Sequence, residues 1–109
     1  MLRIFRVSGS SMEPTLSDGD YVVAATGLWR PRIDKLAVVR HPDYGVLVKR
    51  VRRNSPQGYT VSSDNPLGTD SRTFGEIPEQ LVIGPVLFTI RRSVDSSQKS
   101  EKSIKITSP

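Results

Sequence analysis

Ser11 stands in Ser8-Gly9-Ser10-Ser11-Met12-Glu13-Pro14-Thr15-Leu16, a run punctuated by Gly9 and Pro14 and followed by Asp18-Gly19-Asp20. A hydroxyl on a tight turn, outside regular structure, is well placed to act as a nucleophile. It needs a base to take its proton. The chain has one histidine, His41, inside the turn-like His41-Pro42-Asp43, and no cysteine. A thiol nucleophile is therefore excluded and a histidine triad implausible, so the base of a covalent hydrolase built from this chain is almost forced to be a lysine. Val46-Leu47-Val48-Lys49-Arg50-Val51 offers one. Alternate residues of a strand share a face, so Leu47, Lys49 and Val51 line one side and Val46, Val48 and Arg50 the other. A lysine between two aliphatic neighbours is partly desolvated, which favours its neutral form. A neutral amine can take the proton of a serine, the Ser-Lys variant of triad chemistry. Each residue also has a plainer reading. Ser8, Ser10 and Ser11 suit turns and caps, and a lysine can snorkel from a half-buried strand.

The elements that position these groups read as β. Runs rich in β-branched residues predict strands over 3–7, 21–25, 36–40, 45–52, 59–62 and 81–90. Ser17-Asp18-Gly19, Pro31, His41-Pro42-Asp43, Asn54-Ser55-Pro56-Gln57-Gly58 and the long stretch 64–75 separate them. No window of twelve or more residues carries a 3.6-residue apolar stripe. Short helical turns are expected near 12–16 or 78–80. The predicted fold is a small, mostly β domain, a coiled antiparallel sheet over residues 1–92. Residues 93–109, opening with Ser93-Val94-Asp95-Ser96-Ser97-Gln98-Lys99-Ser100, are polar and serine-rich, and read as a disordered tail. Ile104 and Ile106 could form a short edge strand, a weaker reading than disorder.

At 109 residues this is one domain. The formal net charge of +5 suits an anionic partner without naming one. The N-terminus, Met1-Leu2-Arg3-Ile4-Phe5-Arg6-Val7, is interrupted by arginines and reads as neither a signal peptide nor a membrane span. The expected location is cytoplasmic or peripheral to a membrane.

Several segments together resemble the signal peptidase I family. Gly9-Ser10-Ser11-Met12-Glu13-Pro14-Thr15-Leu16, with Gly19-Asp20-Tyr21-Val22, resembles its serine box. Val48-Lys49-Arg50-Val51 resembles its lysine box. Ser63-Asp64-Asn65-Pro66, with Asp70-Ser71-Arg72-Thr73-Phe74-Gly75, resembles its third signature, and Ile83-Gly84 the strand that closes its domain. The segments stand in the family's order over residues 7–90.

The resemblance implies a Ser-Lys endopeptidase on a mostly β scaffold, without cofactor or metal, acting on a polypeptide. Ser11 would attack the scissile carbonyl, and Lys49 would activate Ser11 and then the hydrolytic water. The backbone N–H of Ser11 would be one oxyanion donor. Some members carry a hydroxyl two residues before the nucleophile as second donor. Gly9 stands there in this chain, so a backbone group or a water would substitute. Ser10 belongs to the same turn, Met12 would pack beneath the nucleophile, and Pro14 would fix the turn's exit. Asp64, Asn65 and Ser71 belong to the supporting signature, with Asp70 and Arg72 as its ion pair. The hydroxyl that orients the lysine usually comes two residues before Asp-Ser-Arg. Gly68 stands there, and Thr69 is expected to replace it.

Typical members also carry a membrane anchor and a longer second domain. Among short, anchorless members, Phe5-Arg6-Val7-Ser8-Gly9, Val39-Arg40-His41-Pro42, Gly45-Val46-Leu47-Val48-Lys49-Arg50-Val51 and Thr69-Asp70-Ser71-Arg72-Thr73-Phe74-Gly75 resemble the maturation proteases of nickel-type superoxide dismutase. Their likeness implies a substrate, the N-terminal leader of a dismutase precursor. A membrane span is not expected, though peripheral contact is possible, and the oligomeric state stays open. LexA-type repressor proteases share the Ser-Lys chemistry, but only ten residues precede Ser11, too few for a cleavable segment or a DNA-binding domain. Lys49-Arg50-Val51-Arg52-Arg53, with Arg30, Arg32 and Lys35, could track phosphates as a nucleic-acid-binding module. The scattered aromatic residues make no stacking platform, and no nucleic-acid partner is expected. A non-catalytic family member is the remaining alternative.

Overall fold

The computed structural model describes residues 1–27, 30–67, 75–93 and 103–107. The strands are β1 (Leu2–Arg6), β2 (Tyr21–Ala25), β3 (Leu36–His41), β4 (Gly45–Ser55), β5 (Gly58–Ser62), β6 (Val82–Ser93) and β7 (Ser103–Thr107). One turn of 3-10 helix, Glu79–Leu81, precedes β6. All pairings are antiparallel, in the order β1-β2-β6-β3-β4-β5, with β7 added to β6. The mostly β antiparallel architecture expected from the β-branched runs is the one observed.

β6 organises the molecule. Its first part pairs with β3, its middle with β2, and its last part with β7. It passes so close to the end of β2 that a Cβ on Gly84 would lie 1.6 Å from the carbonyl oxygen of Ala25. Only a residue without a side chain fits there.

Bulges bend the ladder between Val23 and Ala24, between Val38 and Val39, and at Arg52. The largest apolar cluster contains Val7, Met12, Leu16, Val22, Leu36 and Val38, with Phe5 and Val48 packed against it. It ties the turn carrying Ser11 to β2, β3 and β4. Two smaller clusters, around Val51 with Tyr59 and around Val61 with Ile77, lie against β5.

Two expectations need correction. β4 runs on to Ser55 and β6 to Ser93, because each continues in register with a neighbour. The stretch expected to be a disordered tail contributes β7, whose backbone finds its hydrogen-bond partners on β6 from Thr89 to Ser93. Ladder pairing supplies what composition alone does not show. His41 ends β3, and its Nδ1 accepts the backbone N–H groups of Asp43 at 3.0 Å and Tyr44 at 3.3 Å. It shapes the β3–β4 turn.

Candidate active site

The segment between β1 and β2 is closed at its base by two backbone hydrogen bonds. The N–H of Val7 donates to the Asp20 carbonyl at 2.7 Å, and that of Gly19 to the Val7 carbonyl at 2.9 Å. Inside this loop the acidic side chains act as local caps. Asp18 Oδ1 accepts the Gly9 N–H at 2.9 Å, and Asp20 Oδ2 accepts the Ser17 N–H at 2.9 Å. Gly9 has φ +83°, a left-handed conformation that glycine adopts without cost. Its N–H is already donated to Asp18. Met12 and Leu16 drop into the main core and are fully buried. Their backbones are joined by the Leu16 N–H on the Met12 carbonyl at 2.9 Å. The Glu13–Pro14 peptide is cis. Ser11, half-buried, is thus carried on a turn anchored from below by Met12.

Lys49 lies in the middle of β4 and is 2% exposed, the largest of the fully buried side chains. Its Nζ donates to Ser63 Oγ at 2.7 Å. The β4–β5 register explains the contact. Arg50 pairs with Ser62, so the next step sets Ser63 opposite Lys49.

The following two residues secure the rest of the site. Asp64 receives a fork from Arg50, Nε to Oδ1 at 2.8 Å and Nη2 to Oδ2 at 2.7 Å, and also accepts the Thr15 hydroxyl. The hydrogen bonds from the Arg50 guanidinium above all, then that from Thr15, hold the Asp64 carboxyl below the usual carboxylate range, against the opposing effect of burial. The same pairing raises the Arg50 guanidinium above its ordinary value. Arg50 Nη1 also donates to the Asp34 carbonyl at 2.7 Å. Asn65 grips the serine turn directly. Its backbone N–H donates to the Ser11 carbonyl at 2.9 Å, and its Nδ2 to the Ser10 carbonyl at 2.9 Å. Three consecutive residues therefore reach the lysine, the arginine beside it and the serine turn.

An open groove of about 320 Å³ runs alongside. Ser8, Ser11 and Met12 line one end, Phe5 and Val7 one wall, and Val48 the other. Val48 is the residue before Lys49. Among the described residues β1 pairs only with β2, and the β5 pairing reaches β4 no earlier than Arg50. The groove therefore lies between two strand edges with backbone groups available to a third strand.

Of the residues singled out in sequence, Gly9, Ser10, Ser11, Met12, Pro14, Lys49, Asp64 and Asn65 fall within this neighbourhood. Thr69, Asp70, Ser71 and Arg72 lie outside the described residues, as does Trp29. From sequence alone Ser63 and Thr15 carry no role of their own, and Arg50 only a place in the basic run 49–53. Among the described residues no helix is long and apolar enough to cross a membrane.

The model of the family described as Peptidase S24-like matches residues 1–87. The chain belongs to that family. This puts it among serine-type peptidases of the LexA and signal peptidase kind. The matched region contains Ser11, Lys49 and the residues from Ser63 to Asn65. No curated protein matches the chain.

Proposed function

We propose that this Peptidase S24-like protein is an endopeptidase in which Ser11 is the nucleophile and Lys49 the general base, and that it removes an N-terminal leader from a precursor protein. The observation that carries the reading is the burial of Lys49 with its Nζ on the Ser63 hydroxyl, two residues from the Asn65 that holds the Ser11 turn. A buried ammonium is costly and sheds its proton more readily than one in water. The neutral amine accepts the Ser11 proton as Oγ attacks the scissile carbonyl. It returns that proton to the leaving amine, and then activates water against the acyl-enzyme. With the Gly9 N–H engaged by Asp18, the Ser11 N–H is the oxyanion donor this reading retains from the turn. The substrate lies in the groove as an added strand, since pairing with a strand edge presents its backbone regularly to the nucleophile.

The resemblance to short maturation proteases makes a nickel-type superoxide dismutase precursor the first substrate to try. The protein is co-expressed with that precursor as wild type, Ser11→Ala and Lys49→Ala, and the product N-terminus is read by mass spectrometry. Trimming by wild type alone is the expected result. Trimming that survives both substitutions overturns the catalytic assignment. No trimming by any form removes the dismutase precursor as substrate.

A further inference from the structure

The apolar groove beside Ser11 is framed by arginines that the Ser-Lys chemistry does not use. Arg6 lines it. Arg3 lies over the ring of Phe5, a wall residue, with its guanidinium carbon 4.9 Å from the ring centroid. Arg40 is the β3 partner of Val46, another lining residue. Directly opposed residues of an antiparallel pair put their side chains on the same face about 5 Å apart.

All three arginines are exposed, and among the described residues none is in a salt bridge. Arg32, Lys35, Arg53 and Arg91 are likewise outside any salt bridge among the described residues, so it is the position of Arg3, Arg6 and Arg40 about the groove that sets them apart. Arg30, Arg50 and Arg52 are matched by Glu79, Asp64 and Asp34. Cations are thus left unmatched where the groove opens. Around a slot with low-dielectric walls, such charges focus an attractive field on incoming anions. The planar guanidinium fork also matches a carboxylate in geometry. Stacking on Phe5 holds Arg3 in place, so less side-chain freedom is lost when it engages a partner.

We propose that the groove selects peptide substrates with Asp or Glu side chains interspersed among apolar residues, on the one side of the cut bond that lies along β1 and β4. Apolar side chains of the substrate enter the slot against Phe5, Val7 and Val48, and the carboxylates meet Arg3, Arg6 and Arg40 at its rim. This rests on the peptidase reading and adds the substrate class to it.

The test is a library of randomised peptides incubated with wild type, Ser11→Ala and the double variant R6E/R40E, with cut sites read by mass spectrometry. Both substituted arginines are exposed, and circular dichroism checks that the double variant folds. Ser11-dependent cuts should be enriched about fivefold in Asp and Glu within a few residues of the bond, on one side only. The enrichment should shrink with added salt and turn towards Lys and Arg in the double variant. Ser11-dependent cuts without charge preference overturn the proposal and leave the peptidase standing. Absence of any Ser11-dependent cut overturns both. A fluorescent single-stranded oligonucleotide is titrated in parallel. Salt-sensitive binding that is lost in R6E/R40E, together with charge-blind cutting, assigns the arginines to nucleic acid and overturns the proposal.

Discussion

A buried lysine amine offers hydrogen-bond donors on every side, and its usefulness as a base depends on where its lone pair points. Ser63 fixes one of those directions. On the proposed mechanism, Ser63→Ala lowers the plateau rate about tenfold to a hundredfold, the usual cost of a misplaced catalytic group. It also starts the alkaline rise at lower pH, because the ammonium loses an acceptor. Ser63→Thr keeps the hydroxyl and should keep most of the rate. A pH–rate profile of the three forms checks this, and a flat profile for wild type speaks against a lysine base. Asp64 makes a different prediction. Its folded-state carboxyl titrates below the unfolded value of about 3.9. The stability it contributes is therefore complete above that value and is lost as pH falls through the lower, folded value. Thermal melts should show the midpoint of Asp64→Asn already reduced at pH 6, and falling less than that of wild type as pH drops towards 2. At this scale composition narrows the base to a lysine, and the resemblance of the surrounding segments singles out Ser11 and Lys49. A chain with one histidine and no cysteine leaves lysine as the base, and alternation placed Lys49 between Leu47 and Val51. Ser63 was passed over because the family's usual spacing pointed to the segment around Gly68 and Thr69.

Strands were legible where β-branched residues run between turn residues, which is why β2 appears with the expected bounds. Ends were less so. Asn54 and Ser55 look like turn residues, yet they pair with Tyr59 and Gly58 and lengthen β4. The deeper difficulty is register. A regular ladder counted back from the Pro56-Gln57 turn, as Ser55↔Gly58 and Asn54↔Tyr59 begin it, would set Lys49 opposite Asp64. The extra residue at Arg52 shifts the pairing by one and sets Ser63 there instead, leaving Asp64 to Arg50. A carboxylate facing Lys49 would favour the ammonium and suppress the base. No local composition marks a bulge of this kind, so the decisive pairing could be read only from the folded chain. Close approach between strands is equally silent in sequence. Gly84→Ala drives a methyl group into the Ala25 carbonyl and should cost about 1–3 kcal/mol or more. Urea unfolding of that variant checks it, with an unchanged midpoint as the contrary result.

For the whole molecule, the apolar cluster beneath Ser11 is also the main core, so the site and the fold share their stability. Loss of Met12 or Leu16 packing would loosen the serine turn along with the sheet. β6 carries a further consequence. The family match ends at residue 87, partway along a strand that continues to Ser93. A fragment cut there would lack Phe88, Thr89 and Ile90, the partners of Val23, Val22 and Tyr21. The inner edge of Tyr-Val-Val-Ala-Ala would then present bare amides and carbonyls beside Val22 and Val23, which are normally buried. Such a segment, apolar and uncharged, is a template for intermolecular strand pairing. Light scattering should find the 1–87 fragment aggregated and the whole chain monodisperse. The unit of similarity and the unit of folding differ here by half a strand, and that half strand keeps one copy of the chain from adding itself to the next.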